Sequence, residues 1–123
     1  MRRNNMAKDD YDVIVYKVLV YYYACLKRRI TFDKKVFEET VMKGLNQSYF
    51  NTVLYFMKEE GLITGLVFAN VWGGEHILVT SLDNAEITPD GIHYLKDNSK
   101  MKAVGEHLKE AVDVIAKLAG MVM

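Results

Sequence analysis

The 123-residue chain has one proline, one cysteine and no excess of charge of either sign. A single proline and no low-complexity tract exclude collagen-like, mucin-like and linker-type chains. The single cysteine, Cys25, excludes an internal disulfide and fits a reducing compartment, so a cytoplasmic location is expected. Sixteen basic and sixteen acidic residues cancel, which removes strongly basic nucleic-acid binding as the default reading. No apolar run reaches membrane-spanning length: Val13–Leu26 is interrupted by Lys17 and reads as a buried core helix. A membrane-surface segment would need a flanking basic face, which is missing. Residues 1–12 are mostly polar, so no secretory leader is expected. There is no phosphate-cradling glycine motif, no nucleophile elbow and no paired-histidine metal motif. The expectation is therefore a non-enzyme with no metal, cofactor or small-molecule substrate.

What is present is enough for a fold. Half of the residues are hydrophobic, and the length suits one domain with its own core. Residues 1–9 read as a disordered tail and residues 10–123 as the domain. The charge is unevenly spread. Residues 1–58 carry eleven bases and six acids, whereas residues 59–95 carry six acids and no lysine or arginine.

The periodicity predicts a first helix over about Asp10–Lys27, with Asp9, Asp10 and Asp12 at its positive end. Val13, Ile14, Tyr16, Leu19, Val20, Tyr23 and Leu26 cover more than half its circumference, so it should be central. Asp33 is a candidate cap for a second helix, about Lys34–Lys43, closed by Gly44. Asn46 or Ser48 caps a third, about Gln47–Glu60, whose core stripe is Phe50, Val53, Leu54 and Met57. Leu62–Trp72 and Glu75–Ser81 read as strands joined by Gly73-Gly74. Leu82–Glu86 reads as a loop. Thr88-Pro89 opens a short helix to Asp97 that buries Ile92 and Leu95. A last helix, about Lys100–Ala119, repeats Met101, Val104, Leu108, Ala111, Ile115 and Leu118 at alternating steps of three and four.

Three helices followed by a β-hairpin is the order of a winged helix, so the expected fold is α+β, mostly helical, a winged helix-turn-helix with a C-terminal helical extension. Three stretches carry a further signal: Asp10–Lys27 (DYDVIVYKVLVYYYACLK), Glu59–Gly65 (EEGLITG) and Glu86–Ala103 (EITPDGIHYLKDNSKMKA). Through them the chain resembles the YjcQ-like proteins of phages and prophages of Gram-positive bacteria. That resemblance implies a winged-helix-like domain in a phage setting. It implies no catalytic or binding residue.

Two functional readings follow. In the first, the chain is a dimeric, transcription-regulator-like protein that binds duplex DNA. The third helix reads the major groove through Gln47, Ser48, Asn51, Thr52, Tyr55 and Lys58, because side-chain amides pair well with adenine. Lys34, Lys35 and Lys43, with Lys27, Arg28 and Arg29, would neutralise phosphates. Arg2 and Arg3 are weaker candidates for a minor-groove arm. The same polar residues also describe an ordinary solvated helix face. In the second reading, the scaffold binds protein through the acidic hairpin, with Trp72 as an anchor. The two diverge on one spatial point: Lys34, Lys35 and Lys43 sharing one face with Gln47 and Asn51 counts for DNA, and Glu38 and Glu39 interrupting that face counts against it. The heptad of the last helix, Met101 to Leu118, suits a homodimer built with the first helix. It equally suits one compact monomer in which the last helix covers the first. His76, His93 and His107 lie on different elements and read as packing or surface residues, and Cys25 as a core thiol.

Overall fold

A computed structural model describes residues 10–70 and 73–108. Five α-helices and four short strands are found among them: α1 Tyr11–Leu26, α2 Lys34–Thr40, α3 Gln47–Glu59, β1 Ile63–Thr64, β2 Phe68–Asn70, β3 His76–Leu78, β4 Glu86–Ile87, α4 Pro89–Asp97 and α5 Ser99–His107. The fold is α+β and mostly helical. Residues 2, 3, 72, 111, 115 and 118, on which several expectations rest, lie outside the described residues.

α1 is the central helix. Val13, Ile14, Val15, Val18, Leu19, Tyr21, Tyr22 and Ala24 are buried along it, against α3, α4, α5 and β4. The sequence pattern put Tyr16, Val20, Tyr23 and Leu26 on the same buried surface. Instead, Tyr16, Val20 and Tyr23 are half-buried and Leu26 is exposed, while Tyr21 and Tyr22 go inside. The reason lies at the next corner of the chain. Phe32 from the α1–α2 connector and Phe37 from α2 meet Tyr21 edge-on and pack on Tyr22, which stacks on Phe32 at 5.9 Å, and Phe50 of α3 backs Phe37. Both hydroxyls keep polar partners, as buried tyrosines require. Tyr21 receives a hydrogen bond from the Asp33 amide at 3.0 Å, and Tyr22 donates to the Leu82 carbonyl at 2.8 Å.

The helix starts follow local chemistry. Asp33 accepts from the Val36 amide, Asn46 from Tyr49, Thr88 from Gly91, and Asn98 from Lys100 and Met101. Each side chain satisfies donors that a helix N-terminus leaves without intrahelical partners. α2 stops at Thr40, shorter than its pattern implied, and Gly44 turns the chain at φ +76°.

The strands differ most from expectation. The long strand over Leu62–Trp72 is two strands in two sheets. Gly65, at φ +96°, bends the chain so closely past Asn84 that a Cβ there would collide with its carbonyl oxygen. β1 therefore leaves β2 and pairs with β4, Ile63 opposite Ile87 and Thr64 opposite Glu86. β4 begins at Glu86, the last residue of the stretch read as a loop, and was not expected, because two residues are too few to show alternation. β2 and β3 form the hairpin, with Phe68 opposite Leu78, Ala69 opposite Ile77 and Asn70 opposite His76. The Thr88 hydroxyl donates to the Gly61 carbonyl at 2.5 Å, tying the start of α4 to the end of α3.

Candidate functional site

The hairpin lies against one side of α3, and this contact organises the surface. Tyr55 stacks on His76 with ring centroids 3.9 Å apart and meets Phe68 edge-on at 5.6 Å. His76 Nδ1 lies 3.0 Å from Asn70 Oδ1 across the hairpin. Tyr55 is thus part of the hairpin's seat. Lys58, at the end of the same helix, is half-buried.

Between α2, α3 and the segment after β3 lies a cleft of about 500 Å³, with Phe32, Met42, Leu78 and Leu82 among its apolar lining residues. Its polar lining brings Lys34, Glu38, Gln47, Asn51 and Asp83 together. Lys34 Nζ sits 4.0 Å from a Glu38 carboxylate oxygen, one helical turn away. The Gln47 amide donates to Asn51 Oδ1 at 2.9 Å. Ser81 donates to Asp83, which fixes a second carboxylate at the cleft. Of the two acids whose interruption counts against DNA, Glu38 lies in this cleft and Glu39 does not line it. Lys34, which lines the cleft with Gln47 and Asn51, shares it with Glu38 and Asp83, and phosphate would be repelled there. Lys35 and Lys43 are exposed and do not line it, and neither do Ser48 and Thr52, whose hydroxyl donates back to the Ser48 carbonyl.

The outer face of the hairpin has the opposite character. Successive strand side chains point to opposite faces. With Phe68, His76 and Leu78 turned toward α3 or the cleft, Val67, Ala69, Ile77 and Val79 turn outward together. Val79 donates its amide to the Val67 carbonyl at 2.9 Å, so the four residues form one cross-strand patch. Val67 is 53% exposed, Ile77 42% and Val79 62%. Sequence reading missed this patch and looked to the hairpin tip. The available signal was a strand pair apolar at both parities, Val67-Phe68-Ala69 and Ile77-Leu78-Val79, beside a helical body able to cover only one of them.

The predicted dimer seam is partly used within the chain. Met101 and Val104 are buried in the core, where α5 packs on α1, and Leu108 is half-buried. Trp72, Ala111, Ile115 and Leu118 are outside the described residues. Among the described residues no helix is long and apolar enough to cross a membrane, and no three His, Cys, Asp or Glu side chains form a metal-ligating group.

Cys25 is half-buried, and burial pushes its thiol up to about 11. The thiolate is the nucleophile, so alkylation at neutral pH should be at least about tenfold slower in the folded chain than in denaturant. The raised pKa also sets a direction for stability. The folded state holds this proton more tightly than the unfolded state, whose thiol titrates near about 8.5. The contribution is complete below that pH and is lost as pH rises toward about 11. Equal alkylation rates in the two states would contradict this.

The comparisons with known proteins bear on the whole arrangement. No curated protein and no solved structure matches the chain. A family model described as YjcQ protein matches residues 16–114, from the first helix past the end of α5 and across the hairpin. That match covers most of the 123 residues, and the chain belongs to the YjcQ family.

Proposed function

We propose that this YjcQ-family chain is a protein-docking module on a winged-helix-type scaffold, with the outer face of the β2–β3 hairpin as its docking surface. The observation that carries the reading is the exposed patch of Val67, Ala69, Ile77 and Val79. Contiguous apolar surface on a small domain marks sites that another molecule covers. The patch belongs to a stretch with six acids and no bases, residues 59–95, which favours a protein partner over a polyphosphate. Trp72, next to the hairpin glycines in sequence, fits the same reading as an anchor residue. The scaffold assignment is supported by element order: α1 to α3, then a hairpin seated on α3.

Duplex DNA is the second reading. It is favoured by the exposure of Lys35, Lys43, Gln47 and Ser48 around the start of α3. A regulator in a phage setting would use these residues at the DNA backbone and major groove. A homodimer through the first and last helices would need residues other than Met101 and Val104, which the monomer's own core already uses.

One experiment separates the two readings. A photo-crosslinking amino acid is placed at Val79 or at Ser48 in the full chain, and adducts are collected from cells expressing it. The expected result is a protein adduct from position 79 that Ile77→Asp reduces at least about tenfold, as loss of a central anchor would. Nucleic-acid adducts from position 48 and none from position 79 would replace this reading with the DNA one.

A further inference from the structure

A second surface lies where the start of α1 meets α3 and α4. Tyr11 packs against Phe56 with ring centroids 6.4 Å apart. Phe56 is 45% exposed and Tyr49, two helical turns earlier on α3, is 37% exposed. Tyr94 joins them from α4, half-buried. Asp12 lines one hollow with Tyr11, and Glu60 caps the end of α3 one turn beyond Phe56. Burial first, with the charges of Glu60 and Asp12 added to it, pushes the Tyr11 hydroxyl up to about 12. The same two carboxylates raise Tyr94 as well, after burial. Asp10 adds a third carboxylate at a hollow of about 330 Å³ beside Tyr11, where, among the described residues, Lys100 is the one cation in the lining. The surface is therefore aromatic and net negative.

Aromatic rings with exposed faces beside carboxylates have a specific complement. The ring face carries negative electrostatic potential and attracts a cation placed over it, best a flat, weakly hydrated guanidinium. A neighbouring carboxylate adds a charge-assisted hydrogen bond to the same group. An apolar partner would leave Asp12 and Glu60 desolvated without compensation, and an acidic one would be repelled. Within this chain the pairing already has a small precedent, since Lys27 Nζ sits 4.2 Å above the Tyr23 ring centroid.

We propose that Tyr11, Tyr49, Phe56 and Tyr94, with Asp12 and Glu60, form a docking surface for the arginine side chains of a basic peptide segment on a partner protein. It is separate from the hairpin patch and does not rest on it. Its Phe56 packs on Tyr11 and, at 6.2 Å, on Tyr55, whose other partners are His76 and Phe68 of the hairpin's inner side, whereas the patch of Val67, Ile77 and Val79 faces outward. One arginine stacks on Phe56, with Glu60 one turn away to accept from its nitrogens, and a second reaches Tyr49, about 10 Å farther along the helix.

The test is fluorescence anisotropy of a labelled peptide of alternating arginine and serine, titrated with the full chain. Three results are expected. Saturable binding weakens at higher salt. A lysine-for-arginine peptide binds about two- to fivefold more weakly, and a glutamate version does not bind. Phe56→Ser, at a position exposed enough to keep the fold by circular dichroism, weakens binding about five- to tenfold, and Glu60→Gln does so by a smaller factor. Asp83→Asn, in the cleft beyond α2, and Ile77→Asp, on the hairpin, leave binding unchanged. The Ile77 variant thus separates failure of this surface from failure of the hairpin reading. Absence of binding, or binding that Phe56→Ser leaves intact, would overturn the proposal. Attraction to the acidic stretch as a whole would then suffice.

Discussion

Phe37→Ala is expected to remove about 3–5 kcal/mol of folding stability, the cost of emptying a large, fully enclosed aromatic site. Phe37 is completely buried and lies within ring contact of four others: Tyr21 at 5.1 Å, Phe32 at 5.3 Å, Tyr22 at 5.6 Å and Phe50 at 6.1 Å. Those rings come from α1, the α1–α2 connector, α2 and α3, so the void would open where the three helices meet. Neighbouring tyrosines cannot swing in to fill it without releasing their hydrogen bonds to Asp33 and Leu82. A domain of this size has a total stability of about 5–15 kcal/mol, so the loss is a large share. Urea denaturation should show it as a midpoint lowered by about 2 M, at a slope of roughly 1–3 kcal/mol per molar. Phe37→Leu keeps much of the volume and should cost about 1–2 kcal/mol. A midpoint for Phe37→Ala within error of the wild type would mean that the α1–α2–α3 corner is not packed in this way.

The second large effect is expected at Gly91. A Cβ there would collide with the Leu62 carbonyl oxygen and come within 2.8 Å of Ile87 Cγ1. The carbonyl cannot yield easily, because it accepts the Thr88 amide at 3.1 Å and sits beside the β1–β4 pair. Two effects compete for Gly91→Ala. Alanine in a helix is favoured over glycine by about 1 kcal/mol, while overpacking costs about 1–3 kcal/mol. The clash is with backbone, so the net should be destabilising. Gly91→Val gains nothing from propensity and adds two methyl groups, so about 3 kcal/mol or more is expected. Thermal unfolding of both variants checks this. A Gly91→Ala protein more stable than wild type would show that α4 can move off β1 at little cost. Gly73 is the control, since a Cβ there meets no atom within 4 Å and only its φ of +88° resists substitution.

The legibility of this chain depends on range. The caps at Asp33, Asn46 and Thr88 could be read because each acts within three residues of itself. The bounds of α3 and α4 followed from those caps and from Gly61 and Asn98. The division of the strand at Gly65 was hidden, because what bends the chain there is its passage beside Asn84. Tyr21 and Tyr22 were misjudged for a related reason. Their partners Phe32 and Phe37 are brought to them only by the turn after α1, and helical periodicity carries no information about that turn. The candidate site shows the same divide. Gln47 and Asn51 were correctly placed together, one helical turn apart. Asp83, which alters the charge of their surroundings, arrives from beyond the hairpin. The Tyr11–Phe56 contact joins residues of two helices, and nothing in either segment announces the other.

The β1–β4 pair has a consequence for how relatives of this chain could diverge. Ile63 and Ile87 are ladder partners, so the chain between them leaves the helical body and returns to it at one clamp. Leu66 and Ala85 are buried in the core and the Leu82 carbonyl holds Tyr22, so it is the hairpin between them that could be lengthened, shortened or exchanged while both ends stay where they are. The entropic cost of closing a longer loop grows only logarithmically, about 0.6 kcal/mol for each doubling. The helices, whose core is shared among Tyr21, Tyr22, Phe37 and Phe50, tolerate no such freedom. The protein is in this sense a socket with an exchangeable insert. Its body is held by packing, and its hairpin is held mainly at its root and at the Tyr55–His76 stack. New specificities could then arise by rewriting about fifteen hairpin residues without refolding the rest.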